Sequence, residues 1–155
     1  MPSAGFHIRS AAFAEGARIP RLHTCEGGDR SPPLAWDGAP AGAKSFALVC
    51  DDPDAPAGTW HHWGVYDIPA ATKELPAGGA AGAPGLKQAL NDFGRVGYGG
   101  PCPPKGHGVH HYRFTVYALD RIGLALDAKS RVPDVARVLR GHVLAQATLT
   151  GLYSR

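Results

Sequence analysis

Cysteine is scarce in this sequence, and the few residues present cannot form a complete set of disulfides. Cys25, Cys50 and Cys102 are odd in number and widely spaced, so we expect reduced thiols. Reduced thiols are typical of the cytoplasm, which is the expected location. The sequence also lacks an N-terminal apolar run long enough for a signal peptide or a membrane span, and we expect no membrane insertion.

An excess of charge of one sign is also missing. Lys and Arg number 16 against 13 Asp and Glu, the net charge is +3, and no run of Lys or Arg occurs. A nucleic-acid-binding surface has a denser basic stripe, so nucleic acid is not an expected partner. The small net charge offers little repulsion between copies of the chain, and we expect a homodimer.

Several motifs of catalytic and metal-binding proteins do not occur. Lys105 is followed by Gly106 rather than by Ser or Thr, so the phosphate-binding Walker pattern is absent. Neither Cys-x-x-Cys nor His-Glu-x-x-His is found. The sequence therefore predicts no cofactor and no metal.

Glycine and proline, in contrast, are abundant, with 21 Gly and 14 Pro spread over 155 residues without a period. Together with 44% hydrophobic residues, this composition is typical of many turns and short elements rather than of disorder. We predict a single β-rich domain spanning residues 1–155, with long ordered loops.

The secondary structure can be predicted coarsely. Strand-length segments rich in aromatic and β-branched residues occupy 44–51, 62–68 and 110–120, and a last strand is predicted within 145–155. One helix is predicted after Pro133, with apolar residues at helical spacing at Val135, Val138, Leu139 and Val143. The segment 70–100 is rich in small residues and is predicted to be a long loop.

Two pairs of adjacent histidines lie at predicted strands, His61 with His62 and His110 with His111. Successive side chains of a strand point to opposite faces, so only one histidine of each pair can serve a given site. The face of His110 continues as Tyr112 and further core-like residues, which places His110 and Tyr112 at the inner end. Periodicity leaves the first pair undecided.

Rigid loops precede both histidine pairs. In "DPDAP", Asp52 and Asp54 are each followed by or close to a proline that restricts the backbone, so both carboxylates are held at low entropic cost. Acidic residues beside prolines often only form turns. One of the two is expected to form the turn and the other to face outward.

Five segments taken in order resemble the phosphatidylethanolamine-binding protein family, in its bacterial Raf-kinase-inhibitor-like branch. They are "SPPLAW", "DPDAP", "WHHW", "GPCPPKGHGVHHY" and the ending "HVLAQATLTGLYSR". The likeness runs from about Phe6 to Tyr153. It implies a mainly β fold of two antiparallel sheets in a Greek-key-like sandwich, with one short C-terminal helix and a small pocket for phosphate-like head groups.

The resemblance also implies which residues form that pocket. Carried over by motif, they are Asp52, His62, His110 and Tyr112, with a backbone donor in the loop 100–103 that falls on Cys102. The choice of His110 agrees with the strand argument. Because like charges repel, Asp52 is expected to accept a hydrogen bond from a histidine rather than to face an anion.

The function predicted in this way is that of a non-enzymatic binding protein for phosphate, phosphoethanolamine or a similar anion. A further hypothesis is that it regulates or inhibits a kinase or a protease, and no particular protein partner is indicated. If a charged histidine contacts the anion, affinity should fall as pH rises from about 6 to 8.

Two alternatives come from other classes of protein. In the first, histidines and aspartates hold a metal ion, with His107 and His110 at the only close non-adjacent spacing. In the second, the chain is a thiol hydrolase with Cys102 as nucleophile, His110 as base and Asp52 orienting that base.

Overall fold

The structure is a computed structural model that describes residues 5–79 and 85–155. Two antiparallel sheets dominate it. One has the order β1-β2-β5 and the other β6-β4-β3-β7-β8. The strands are β1 (His7–Arg9), β2 (Leu34–Asp37), β3 (Ser45–Asp52), β4 (Trp60–Pro69), β5 (Glu74–Leu75), β6 (Lys87–Gln88), β7 (His110–Leu119) and β8 (Val143–Tyr153). With one α-helix of eight residues, the mainly β fold of two antiparallel sheets is confirmed.

The central strand β3 is buried on both faces, which explains its nearly continuous apolar sequence. Phe46, Leu48 and Cys50 face the main core between the two sheets. Ala47 and Val49 face a second cluster beneath the helix. The five-stranded sheet is therefore covered by the smaller sheet on one side and by the helix on the other.

The helix α1 (Val132–Leu139) is shorter than the helical spacing predicted. Its first turn is closed by Asp134, whose carboxylate accepts from the backbone N–H of Arg131 at 2.9 Å. Gly141 then adopts a φ of +82° and turns the chain. The prediction that Val143 belongs to the helix is wrong, because this residue begins β8.

The long loop predicted over 70–100 is also partly wrong, because it contains β5 and β6. Each of these strands has only two residues and joins the edge of a sheet, so no period-two pattern is long enough to show in the sequence. The strands β1 and β2 and a short 3-10 helix, Arg21–His23, were not predicted either. No helix in the described part of the chain is long and apolar enough to cross a membrane.

The expectation of reduced thiols is wrong for two of the three cysteines. Cys25 and Cys102 form a disulfide between residues 77 apart in sequence, with their Cα atoms 5.4 Å apart, and Cys50 is free and buried. An odd count excludes full pairing but not a single bond, and only the fold brings these two together. Since disulfides persist mainly in oxidising compartments, the cysteines no longer support a cytoplasmic location. The cytoplasmic location stays a prediction.

Candidate functional site

The antiparallel order of three neighbouring strands assembles a site at one edge of the larger sheet. Asp52 at the end of β3 lies opposite Trp60 at the start of β4. On the other side, Asp51 pairs with Arg113 near the start of β7. The end of β3 therefore lies beside the beginnings of β4 and β7, where the two histidine pairs are found.

A cavity of about 190 Å³ opens at this edge. It is lined by all five residues predicted for the site, Asp52, His62, Cys102, His110 and Tyr112, together with Ala55, Pro56, Trp60, Phe93, Pro103 and Pro104. The structure thus brings the predicted residues together. That they bind a ligand stays a prediction.

The other histidine of each pair is directed elsewhere, as the alternation of strand faces requires. His61 contacts Asp92 through its Nδ1 at 3.0 Å. His111 contacts Asp54 at 2.7 Å, and both side chains are well exposed. Asp54 is therefore the outward-facing acid of the "DPDAP" turn.

Asp52 and His110 form a buried pair at the base of the cavity. The Nδ1 of His110 lies 2.7 Å from one carboxylate oxygen of Asp52, and the other oxygen accepts from the backbone N–H of Asp54 at 2.8 Å. The Nε2 of His110 lies 2.6 Å from Nδ1 of His107. Both ring nitrogens of His110 thus have protein partners, so in this arrangement His110 orients the site. His107 lies beside Nε2 and competes for the position that an anion would take there.

His62 has one nitrogen left for a ligand. Its Nδ1 donates to the carbonyl of Gly99 at 2.6 Å, which fixes the tautomer of the neutral ring with Nε2 unprotonated. Its ring packs edge-on against Tyr112 and Phe93, with centroids 5.2 and 5.3 Å away. Burial lowers the pKa of His62, against the Gly99 carbonyl and nearby carboxylates that raise it.

Two residues that line the cavity each carry a donor without a partner. The Tyr112 hydroxyl and the Trp60 Nε1 are buried and make no hydrogen bond to the described residues. A buried polar group without a partner costs about 1–3 kcal/mol, so such groups are rare in native proteins unless something binds them. Burial, and then the charge of Asp52, raise the pKa of Tyr112, which keeps it a neutral O–H donor.

The loop before β7 forms the opposite wall and is fixed at several points. The Gly100 N–H donates to the Asp29 carboxylate at 2.7 Å, and Pro101 accepts from the Cys25 N–H at 3.1 Å. The disulfide ties Cys102 to the same segment. The Cys102 N–H has no acceptor among the described residues, which is consistent with its predicted role as a backbone donor.

Six residues that line this cavity were not predicted as site residues, and Phe93 and Trp60 are the aromatic ones among them. Phe93 lies in the segment predicted to be a long loop, and no pattern in the sequence distinguished it. The unpartnered N–H of Trp60 depends on the tertiary surroundings of its ring, which the sequence does not show.

The two alternative functions receive no support from the site. The described residues contain no group of three or more His, Cys, Asp or Glu arranged to hold a metal ion. His107 and His110 contact each other instead. The sulfur of Cys102 is bonded to Cys25, so the thiol-hydrolase hypothesis is wrong for the oxidised protein, because no thiolate is available.

The fold and the site define a two-sheet β protein with a small, preformed cavity at the edge of one sheet. This architecture fits a binding protein. The sequence profile of the phosphatidylethanolamine-binding protein family matches residues 9–154. The chain belongs to this family.

Relatives of known sequence and structure agree with that membership. A UPF0098 protein of Aquifex aeolicus is 51% identical over 152 residues, covering 96% of this chain and 88% of the relative. The crystal structure of Escherichia coli YbcL, described as a new member of the mammalian PEBP family, matches with a TM-score of 0.93 at 39% identity, over 98% of this chain and 99% of that one. A putative lipoprotein, LppC, of Mycobacterium tuberculosis is 42% identical, over 94% of this chain and 71% of its own length.

Proposed function

We propose that this protein binds a small anionic group, such as phosphate or the phosphoethanolamine head group, in the cavity between β3, β4 and β7. The observation that carries the proposal is the Tyr112 hydroxyl, a buried donor that lacks a partner and belongs to a residue lining the cavity. An anion accepting from this hydroxyl would satisfy it. Trp60 and Cys102 also line the cavity, and the Trp60 Nε1 and the Cys102 N–H are further donors without an acceptor among the described residues.

His62 and His110 have different roles in this proposal. His62 donates to the anion through Nε2 when its ring is protonated, because its Nδ1 is already bound to Gly99. His110 is held by Asp52 and is a positioning residue. Asp52 accepts from a histidine, as expected from the repulsion between a carboxylate and an anion.

Membership in a family named for binding fits a protein that acts without catalysis. The absence of catalysis stays a prediction, as do the homodimer, the lack of a nucleic-acid partner, and a role as regulator or inhibitor of a kinase or protease. The oxidised Cys102 removes the nucleophile that the hydrolase hypothesis required.

Replacing Tyr112 by phenylalanine should weaken sulfate binding while leaving the protein as stable as before, or slightly more stable. A neutral hydrogen bond contributes about 0.5–1.5 kcal/mol, so the affinity should fall about three- to ten-fold. The free protein loses only a hydroxyl that had no partner. Sulfate titrations followed by NMR, and urea denaturation of both proteins, measure the two effects.

A hydroxyl with a structural role would give the opposite pair of results. Tyr112→Phe would then be less stable, and its sulfate affinity would be unchanged. As a control, Tyr117→Phe removes a hydroxyl from the same strand at a position that does not line the cavity. This variant should bind sulfate like the parent.

Sulfate should bind more tightly as pH falls from 8 to about 5.5. Burial holds the pKa of His62 below its ordinary value near 6.5, so the ring is neutral in the free protein at pH 7. A sulfate at Nε2 favours the charged ring, so binding takes up a proton and is strengthened at lower pH. Most of the gain should come at the lower end of the sequence-based range of about 6 to 8 and below it, because burial opposes protonation of His62.

The pH effect is measured by sulfate titrations at several pH values, since sulfate keeps its charge throughout. A charge-assisted hydrogen bond contributes about 1.5–3 kcal/mol, so the gain at low pH should be about ten-fold or more. His62→Gln should lose this gain, and His111→Gln, on the opposite strand face, should keep it. An equal loss in both variants would contradict the role given to His62.

A further inference from the structure

The cavity offers little positive charge to a bound anion. Of the described residues that line it, Asp52 carries a carboxylate and none is a lysine or arginine. The charges that act most on His62 are those of Asp52, Asp92 and Asp29. The other groups facing its ring, Gly99 carbonyl, Phe93 and Tyr112, are neutral.

The positive groups nearby are occupied with other partners. His61 binds Asp92, and Arg95 lies 3.4 Å from Asp29 on an exposed surface. Arg155 is not among the lining residues, and its Nε donates to the carbonyl of Pro103 at 2.7 Å. Of the described residues that line the cavity, His62 is therefore the one that can add net positive charge there, because any charge on His110 is offset by Asp52, 2.7 Å away.

The remaining wall is apolar. Trp60 and Phe93 pack edge to face with centroids 5.4 Å apart, and Pro56, Pro103 and Pro104 complete the lining. A volume of about 190 Å³ is below the roughly 300–1,000 Å³ usual for sites that hold a whole drug-sized ligand. The cavity therefore has room for one charged group and a small apolar substituent.

We propose that this cavity selects singly charged oxyanions that carry an apolar substituent, such as sulfonates or phosphodiesters, over doubly charged ones such as sulfate or phosphate monoesters. This inference rests on the anion-binding function proposed above. The single charge of such a ligand is stabilised by neutral hydrogen-bond donors and, at low pH, by protonated His62. A second charge is desolvated without a partner and is repelled by the Asp52 carboxylate that lines the same cavity. An apolar substituent in its place packs against the aromatic and proline wall instead.

Methanesulfonate and sulfate form a matched pair of probes, because both carry an SO₃ group on a tetrahedral sulfur. Methanesulfonate has a methyl group where sulfate has its fourth oxygen and its second charge. Both are titrated into the 15N-labelled protein at pH 8 and pH 5.5, at constant ionic strength. At pH 8, methanesulfonate should bind about ten-fold more tightly than sulfate. At pH 5.5 the difference should shrink, because protonated His62 compensates the second charge.

Two variants and a second probe pair sharpen the test. In His62→Gln the preference for methanesulfonate should be the same at both pH values, whereas His111→Gln should behave like the parent. Dimethyl phosphate against methyl phosphate repeats the comparison with phosphorus, since the monoester is doubly charged at pH 8 and the diester is not. The diester should be preferred.

The outcomes separate this inference from the function on which it rests. If no probe shifts the resonances of the cavity residues, neither the anion function nor the charge selectivity holds. If the probes bind there but sulfate and methyl phosphate bind as tightly as their singly charged partners at pH 8, the anion-binding function is supported and the charge selectivity is overturned.

Discussion

Replacing His110 by alanine should lower the free energy of unfolding by about 3–5 kcal/mol, because it leaves the buried Asp52 carboxylate without its histidine partner. The side chains of His110 and Asp52 are 2% and 4% exposed, and their contact is 2.7 Å long. Without His110, the Asp52 carboxylate keeps only the backbone N–H of Asp54 as a partner. Chemical denaturation of the parent and the variant measures the difference.

The neighbouring histidine provides a matched control. His111 contacts Asp54 at the same distance of 2.7 Å, but these side chains are 53% and 38% exposed. Water solvates both groups after the contact is lost, so His111→Ala should cost less than about 1 kcal/mol. Similar losses in the two variants would show that burial does not distinguish the two pairs, and would remove the structural role assigned to His110.

Reducing the disulfide should lower the free energy of unfolding by about 2–4 kcal/mol, because the unfolded chain is freed of a long closed loop. The bond joins residues 77 apart, which places the expected effect toward the upper end of that range. It also ties down the wall of the cavity at Cys102, so reduction should weaken sulfate binding as well. Denaturation with and without a dithiol reductant, at equal pH and salt, measures the effect on stability.

The double variant Cys25→Ser/Cys102→Ser is the control for the reductant itself. It should be as unstable as the reduced parent, and the reductant should not change it further. Thiol titration of the unfolded, unreduced parent should find only Cys50. Three reactive thiols would contradict the disulfide, and an equal effect of reductant on parent and variant would show that the effect has another cause.

The larger strands could be predicted because their sequences carry the pattern that burial imposes. In β7, His110, Tyr112 and Phe114 are buried while His111 and Arg113 are exposed, as the alternation of apolar and polar residues predicts. The two-residue strands β5 and β6 carry no such pattern and are formed by pairing with a neighbour. At Val143 a pattern was present but misleading. Apolar residues at helical spacing continue by chance past Gly141, where the helix has ended.

The residues of the cavity were predictable for a related reason. Strand alternation separated His110 from His111, and the family resemblance selected His62, Asp52 and the loop containing Cys102. Both kinds of argument use local sequence, and both place these residues where the structure has them lining one cavity. Neither could show which atoms are free.

The sequence by itself determined the β-rich class, the longer strands and the faces on which His110 and His111 lie, because these depend on the local periodicity of side chains. Only the tertiary structure decided that Cys25 bonds Cys102, that His107 occupies the second nitrogen of His110, and that the Tyr112 hydroxyl lacks a partner. These features depend on contacts between segments far apart in the chain or on the angle of a loop. No local pattern encodes them, because burial and hydrogen bonding are properties of the assembled surroundings.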